Sequence, residues 1–253
     1  MMPTATEKYA QELEQLHRDG YVLFKKVLSP GEVAAVKEGI RQAFEGKDDG
    51  VMLQGPMFER GEIFESLVDH PVISEFIEEV LGPDCQLSSM NGMRTTKNNG
   101  VSKWHVDEAL FFPLPDGVEL DPRIRMPVYL VNGLYYLDDI TEDLGPTQVV
   151  PGSHRAGKLL EFSEEIGTYK GREAVSVLAE AGDCLVFNSQ VWHRGARNRS
   201  DVPRYVQQII YRKKFIVPHM THDINAAYRL PDEIVQRANP RRKRLLGYNE
   251  RVF

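Results

Sequence analysis

The chain of 253 residues has little cysteine: Cys85 and Cys184 alone, too few for a disulfide framework or a four-cysteine metal cluster. Both sit in apolar surroundings and read as buried thiols of a reducing compartment, with a single disulfide left open. Long hydrophobic runs are also missing, since nothing approaches the roughly 18 uninterrupted apolar residues of a membrane span. Residues 1–10 lack the basic segment and apolar stretch of a secretory leader, so a cytoplasmic protein is expected. Basic residues are not in excess: 31 Lys and Arg against 37 Asp and Glu give a net charge of -6. That balance favours neither nucleic acid nor an anionic membrane as partner. The one basic run, Arg241-Arg242-Lys243-Arg244, is expected to be a solvated helix surface. Repeats, low-complexity tracts and flexible linkers are absent, which favours a single domain over residues 1–253.

What is present begins with helices. Ser29-Pro30-Gly31-Glu32 is a capping box with proline at the first helical position, and Val33, Val36 and Ile40 follow at helical spacing, so residues 30–44 should be an amphipathic helix. An earlier helix is predicted over about 6–18 and another over 71–81, the latter opened by Pro71 and stopped by Gly82-Pro83. Between the first two, Gly20-Tyr21-Val22-Leu23-Phe24 reads as a buried strand.

After residue 84 the chain turns to short apolar runs at 85–94, 127–137, 146–150, 174–179, 184–188 and 204–212. Rich in β-branched and aromatic residues and without regular intervening helices, they predict an antiparallel sandwich or barrel over about 85–215, buttressed by helices from about 6–81. Residues 45–61 and 108–126 are long, irregular and rich in Gly or Pro, the marks of lids and substrate loops.

Within this frame, Trp104-His105-Val106-Asp107 places an imidazole and a carboxylate two residues apart, on one side of an extended segment. Alone the pair is weak evidence, because a surface His–Asp hydrogen bond has the same spacing. A further candidate, His193, ends the apolar run opened by Gly182-Asp183. Two histidines and one carboxylate can occupy one face of an octahedron and leave three positions open, whereas a structural zinc site would be closed. Arg204 begins the apolar strand 204–212, where a buried guanidinium needs an anionic partner: an internal carboxylate, or the far carboxylate of a dicarboxylic cosubstrate.

The segment Gly145-Pro146-Thr147-Gln148-Val149-Val150-Pro151-Gly152-Ser153-His154-Arg155 resembles the signature loop of the phytanoyl-CoA dioxygenase family. With His105-Val106-Asp107, Gly182-Asp183, His193 and Arg204 in order, and with Gly20-Tyr21-Val22 and the capped helix, the resemblance covers most of the chain. It implies a double-stranded β-helix, a jelly roll of the cupin kind, carrying Fe(II) and consuming 2-oxoglutarate and O2 with release of succinate and CO2. His105, Asp107 and His193 match the iron ligands, and Arg204 matches the arginine that binds the far end of 2-oxoglutarate. Related halogenating enzymes carry Gly or Ala at the carboxylate position, so Asp107 implies hydroxylation, desaturation, epoxidation or ring formation instead.

Other positions carry looser expectations. Thr147 stands where the family commonly has Leu, and its hydroxyl, with Asn132, Tyr135 and Gln207 on strands expected to line the barrel, is a candidate contact to 2-oxoglutarate. Arg94, Phe111, Phe112, Trp104 and Trp192 are candidate substrate contacts, although either tryptophan can equally pack beside a ligand strand. Gly145, Pro151, Gly152, Ser153 and His154 are expected to shape the signature loop. The leading substrate class is a small secondary-metabolite intermediate, with a fatty acyl-CoA as the alternative. Arg123, Arg125, Arg155 and Lys158 would form the basic entrance a CoA ester needs, but the first two lie near Asp116, Glu119 and Asp121. A non-oxidative metal-dependent isomerase or hydrolase and a non-catalytic jelly-roll binding module are the readings from other classes.

Overall fold

A computed structural model describes residues 8–50, 52–107, 112–158, 160, 168–216 and 229–248. Helix α1 (Ala10–Asp19) stops at Gly20, whose φ of 86° only glycine adopts without strain, and the chain turns directly into β1 (Tyr21–Phe24). Helix α2 (Pro30–Ala43) starts as its sequence dictates, with Ser29 and Glu32 capping each other's backbone N–H. The segment 45–61, expected to be irregular, contains the two-residue strand β2 (Leu53–Gln54) and a 3-10 turn at Met57–Arg60. Helix α3 (Glu62–Val68), which the sequence did not announce, precedes α4 (Pro71–Leu81).

The strands that follow are β3 (Gln86–Thr95), β4 (Leu130–Tyr136), β5 (Thr147–Val149), β6 (Val175–Val177), β7 (Cys184–Asn188), β8 (His193–Gly195) and β9 (Arg204–Arg212). They form an antiparallel sheet in the order β1-β7-β4-β9-β3-β2 and a smaller one in the order β6-β5-β8. This is the jelly-roll arrangement expected, with the helices on one side of the larger sheet.

Alternation along each strand divides the interior into two cores. Val131, Tyr135, Cys184, Val186, Ile209 and Tyr211 meet the helical side chains Val36, Ile40, Phe64 and Phe76 on one face of the large sheet. Burying Phe64 and Phe76, 1% and 0% exposed, contributes about 1.5–3 kcal/mol each. Leu134, Tyr136, Leu185, Phe187 and Val206 point the other way, toward Val149 and Val177 of the small sheet. Both cysteines are buried and unpaired.

The basic C-terminal run departs from expectation. In α6 (Pro240–Leu245) Arg241 and Arg244 both grip Glu78, and Arg242 pairs with Asp69 at 2.7 Å. In α5 (Asp232–Arg237) Arg237 pairs with Glu65, whose side chain is fully buried. The run is therefore a clamp over the acidic residues Asp69, just after α3, and Glu78 of α4 rather than a solvated face, because carboxylates withdrawn from water need a cation beside them.

Candidate metal centre

His193 opens β8, and His105 lies on a short extended segment that pairs with it: each residue's N–H donates to the other's carbonyl at 3.0 Å. Backbone bonding alone thus sets the two imidazoles side by side, with ring centroids 4.3 Å apart. The N–H of Asp107 is held by the Ser189 carbonyl, so its carboxylate returns to the same point. Asp107 Oδ1 lies 3.6 Å from His105 Nε2 and 3.5 Å from His193 Nε2, and the potential ligand atoms of all three lie within 4.8 Å of one another.

The tautomers are also fixed. His105 Nδ1 donates to the Lys103 carbonyl at 2.8 Å and His193 Nδ1 to the Val191 carbonyl at 2.9 Å, which turns both Nε2 atoms toward Asp107. Burial, and then the neighbouring His193, hold the pKa of His105 down, so it is neutral and ready to ligate. Burial opposes charge on His193 as well, but Asp107 outweighs it and raises the His193 pKa. Asp107 itself is lowered, since the two histidines and the Asn132 amide overcome its burial. A metal ion would take over the role of the proton these groups share.

Arg204 opens onto the same cavity, of about 200 Å3, which His105, Asp107, Thr147, His193 and Gln208 also line. The guanidinium is 5% exposed, and its one hydrogen bond among the described residues runs from Nη2 to Thr95 Oγ1 at 3.1 Å. Nε and Nη1 have no partner there, and burial pulls the pKa of Arg204 below its ordinary value. A buried cation with unmet donors is built for an anion. Thr147 lines the cavity too and accepts a hydrogen bond from Tyr136 Oη at 3.0 Å, which leaves its own hydroxyl proton to donate elsewhere.

Other predicted positions divide by strand face. Gln207 and Tyr135 lie on the helical side: Gln207 Nε2 donates to the Asn91 and Gln208 carbonyls, and Tyr135 packs edge-on to His70. The expectation that they touch 2-oxoglutarate is corrected, because they have the wrong parity on their strands. Their neighbours Gln208 and Tyr136 face inward instead. Asn132 does face inward, but it donates to Asp107 Oδ2 at 2.8 Å and to Ser189 Oγ at 2.9 Å, so in this structure it serves the carboxylate.

Arg94 is likewise turned away from the cavity. It stacks over Phe44 at 4.8 Å and donates to the carbonyls of Lys47 and Asp48, while Met93 beside it lines the cavity. Trp104 is buried beneath Arg194, whose guanidinium lies 4.7 Å from its ring, and Trp192 lines a separate surface cavity with Leu114, Arg155 and Tyr169. Neither tryptophan is placed to stack on a substrate beside the triad. Phe112 is 52% exposed, and Phe111 lies outside the described residues.

The signature loop works through backbone geometry. Gly145 has φ 78°, and a Cβ there would sit 2.5 Å from the Ala196 carbonyl; Gly152 has φ 84°. Pro151 is buried between the end of β5 and that glycine. Ser153 Oγ accepts from the Trp192 N–H at 2.8 Å, tying the loop to the residue before His193, while His154 Nε2 donates to the His17 carbonyl at 3.1 Å.

The family model described as phytanoyl-CoA dioxygenase (PhyH) matches residues 16–206. The chain belongs to the phytanoyl-CoA dioxygenase family. It is an Fe(II)- and 2-oxoglutarate-dependent dioxygenase with O2 as the second cosubstrate. Dioxygenase cdmD of Talaromyces verruculosus is 30% identical over 149 residues, a match spanning 56% of this chain and 45% of that protein, less than half its length. Dioxygenase trt7 of Aspergillus terreus is 22% identical over 97% of this chain and 85% of its own. Among solved structures, the epimerase SnoN from nogalamycin biosynthesis, in complex with Fe3+, alpha ketoglutarate and nogalamycin RO, superposes with a TM-score of 0.67 at 20% identity, covering 88% of this dioxygenase and 93% of SnoN. HygX from Streptomyces hygroscopicus, with nickel and 2-oxoglutarate bound, gives 0.66 at 18% identity, covering 83% and 89%. No helix among the described residues of the dioxygenase is long and apolar enough to cross a membrane.

Proposed function

We propose that His105, Asp107 and His193 hold the Fe(II) of this dioxygenase, that Arg204 receives the far carboxylate of 2-oxoglutarate, and that the substrate is a small, largely apolar biosynthetic intermediate. The observation that carries this is Arg204, a buried cation whose Nε and Nη1 lack partners and which shares a cavity with three convergent ligand groups. A dicarboxylate with one end at the metal and the other at Arg204 satisfies both needs. When bound, Fe(II) would activate O2, with 2-oxoglutarate giving up two electrons as it becomes succinate and CO2 and the substrate giving up the other two at an unactivated C–H bond.

The protein's own residues do the rest. The Lys103 and Val191 carbonyls keep both imidazoles in the ligating tautomer. Thr147, oriented by Tyr136, offers a hydroxyl proton alongside Arg204. Leu134, Phe187, Val206 and Ile210 line the cavity and keep water from the reacting atoms.

Charge at the surface supports a small substrate over a CoA ester, whose phosphates need free cations. Arg123 pairs with Asp121, Arg125 with Glu14 and Lys158 with Asp116. Arg155 is spent on the Ile124 and Asp121 carbonyls. Three of the four cations of the basic entrance are thereby paired with carboxylates, and the fourth is tied to backbone. Similarity to SnoN and to HygX, the latter also solved with hygromycin B, points the same way. The apolar core shared by helices and sheet supports treating the chain as one oxygenase domain, and the two free thiols are compatible with a cytoplasmic setting.

The test is anaerobic addition of Fe(II) and then 2-oxoglutarate, followed by visible absorption, and aerobic succinate release across a panel of small polyketide-like and terpenoid-like substrates. A charge-transfer band that needs both additions is expected, and His193→Ala should abolish it along with succinate release. Wild-type turnover in that variant would overturn the ligand assignment.

A further inference from the structure

Three carboxamides on neighbouring strands of the large sheet form a chain that ends on Asp107. Asn91 and Gln208 lie directly opposite each other on β3 and β9, and Asn91 Nδ2 donates to Gln208 Oε1 at 3.2 Å. Gln208 Nε2 donates to Asn132 Oδ1 on β4 at 3.3 Å, and Asn132 Nδ2 donates to Asp107 Oδ2 at 2.8 Å. Each amide can be turned two ways, yet all three point the same way, and the reason is electrostatic. An ionised Asp107 only accepts, so Asn132 must offer its NH2; its oxygen must then accept, so Gln208 must offer its NH2, and so back to Asn91.

The far end of the chain abuts backbone. Asn91 Oδ1 is buried without a partner among the described residues, and a Cβ on Gly55 would sit 2.1 Å from it. The backbone of the segment carrying β2 is thus seated against the last amide. Leu53 of the same segment lines the cavity.

We propose that Gln208 is a positioning residue that acts through Asn132 to hold Asp107 Oδ2 away from the metal, so that the carboxylate binds through Oδ1 alone. This rests on the triad being the metal ligands. Were Oδ2 free to turn inward, the carboxylate would take a second metal position that cosubstrate or dioxygen needs. The directional chain supplies the restraint, and its dependence on donor polarity separates it from simple packing.

Cobalt(II) alone is a suitable probe, read by its visible absorption and by its dissociation constant, with circular dichroism to check folding. Glu is nearly the same size as Gln but only accepts. Gln208→Glu forces Asn132 to reverse and present its oxygen to Asp107 Oδ2. Gln208→Met keeps volume and leaves Asn132 unopposed. If polarity is what matters, Gln208→Glu weakens cobalt binding by about tenfold or more and alters the absorption spectrum, while Gln208→Met has the smaller effect. Asn91→Asp, one link farther out, should act in the same direction as Gln208→Glu and decides the matter if the latter does not fold. Cobalt affinity and spectrum unchanged in Gln208→Glu, or less affected than in Gln208→Met, would overturn the proposal. Retention of cobalt by His193→Ala would instead overturn the ligand assignment beneath it.

Discussion

Replacing Arg204 with Met should stabilise the protein without cosubstrate and destroy its ability to bind cosubstrate. In the structure the guanidinium is 5% exposed and keeps one hydrogen bond, to Thr95, while Nε and Nη1 go unmet. Each unmet buried donor costs about 1–3 kcal/mol, and replacing buried charge with an apolar side chain of similar length commonly gains about 1–4 kcal/mol. Subtracting about 1 kcal/mol for the hydroxyl left alone at Thr95 leaves a net gain of about 0–3 kcal/mol. For a chain of this size, at about 2–4 °C per kcal/mol, that raises Tm by up to roughly 12 °C. Thermal unfolding of both proteins, with and without saturating 2-oxoglutarate and a non-reactive metal, is the assay. The wild type should gain stability on addition of 2-oxoglutarate and the variant should not. A variant less stable than the wild type without ligand, or equally protected by 2-oxoglutarate, would refute the claim that Arg204 is a cation waiting for its anion.

Acid should loosen the signature loop through His154, whose burial lowers its pKa from 6.5 to about 4. Its folded pKa lies below the unfolded one, so stability is full above about pH 6.5 and falls by about 3 kcal/mol as pH drops to 4, where the unfolded chain takes a proton the folded one refuses. Urea titrations at pH 7 and 5 should show this slope, and His154→Asn should flatten it. Tyr136→Phe removes the donor that orients Thr147 and should raise the KM for 2-oxoglutarate about fivefold, from about 1 kcal/mol of lost hydrogen bonding, with little change in kcat. Gly145→Ala meets both a φ of 78° and the Ala196 carbonyl, so chemical denaturation should show a loss of about 2 kcal/mol or more.

Where a residue type forces one answer, the sequence was legible. The capping box gave α2 its start, Pro71 and Gly82 gave α4 both ends, and 204–212 is a strand at those same residues. His105, Asp107, His193 and Arg204 come to one cavity. What failed was the choice of face. On β4 every residue is buried, and on β9 most are, because helices cover one side and the small sheet the other, so no alternation of apolar and polar residues marks the inside. Gln207 and Tyr135 were therefore indistinguishable by composition from Gln208 and Tyr136. A signal did exist: counting by twos from Arg204 reaches Val206, Gln208 and Ile210, all of which line the cavity, and never Gln207. The basic C-terminal run misled for a different reason. Its partners Asp69 and Glu78 lie far away in sequence, and local charge density says nothing about what a run faces once folded.

The mutual backbone bonds of His105 and His193 bear on how the protein acquires its metal. The ligands are arranged by β pairing rather than by the ion, so the polypeptide should reach its final shape empty and be loaded afterwards. Chelation should then remove activity and lower Tm only by the mass-action share of binding, without unfolding the chain. Two imidazoles and one carboxylate also carry little intrinsic preference for Fe(II) among divalent ions. Nickel, cobalt and copper, which such ligands bind more tightly than Fe(II), would enter whenever they are abundant. The metal supply of the compartment in which this dioxygenase folds should therefore set the fraction of it that carries Fe(II).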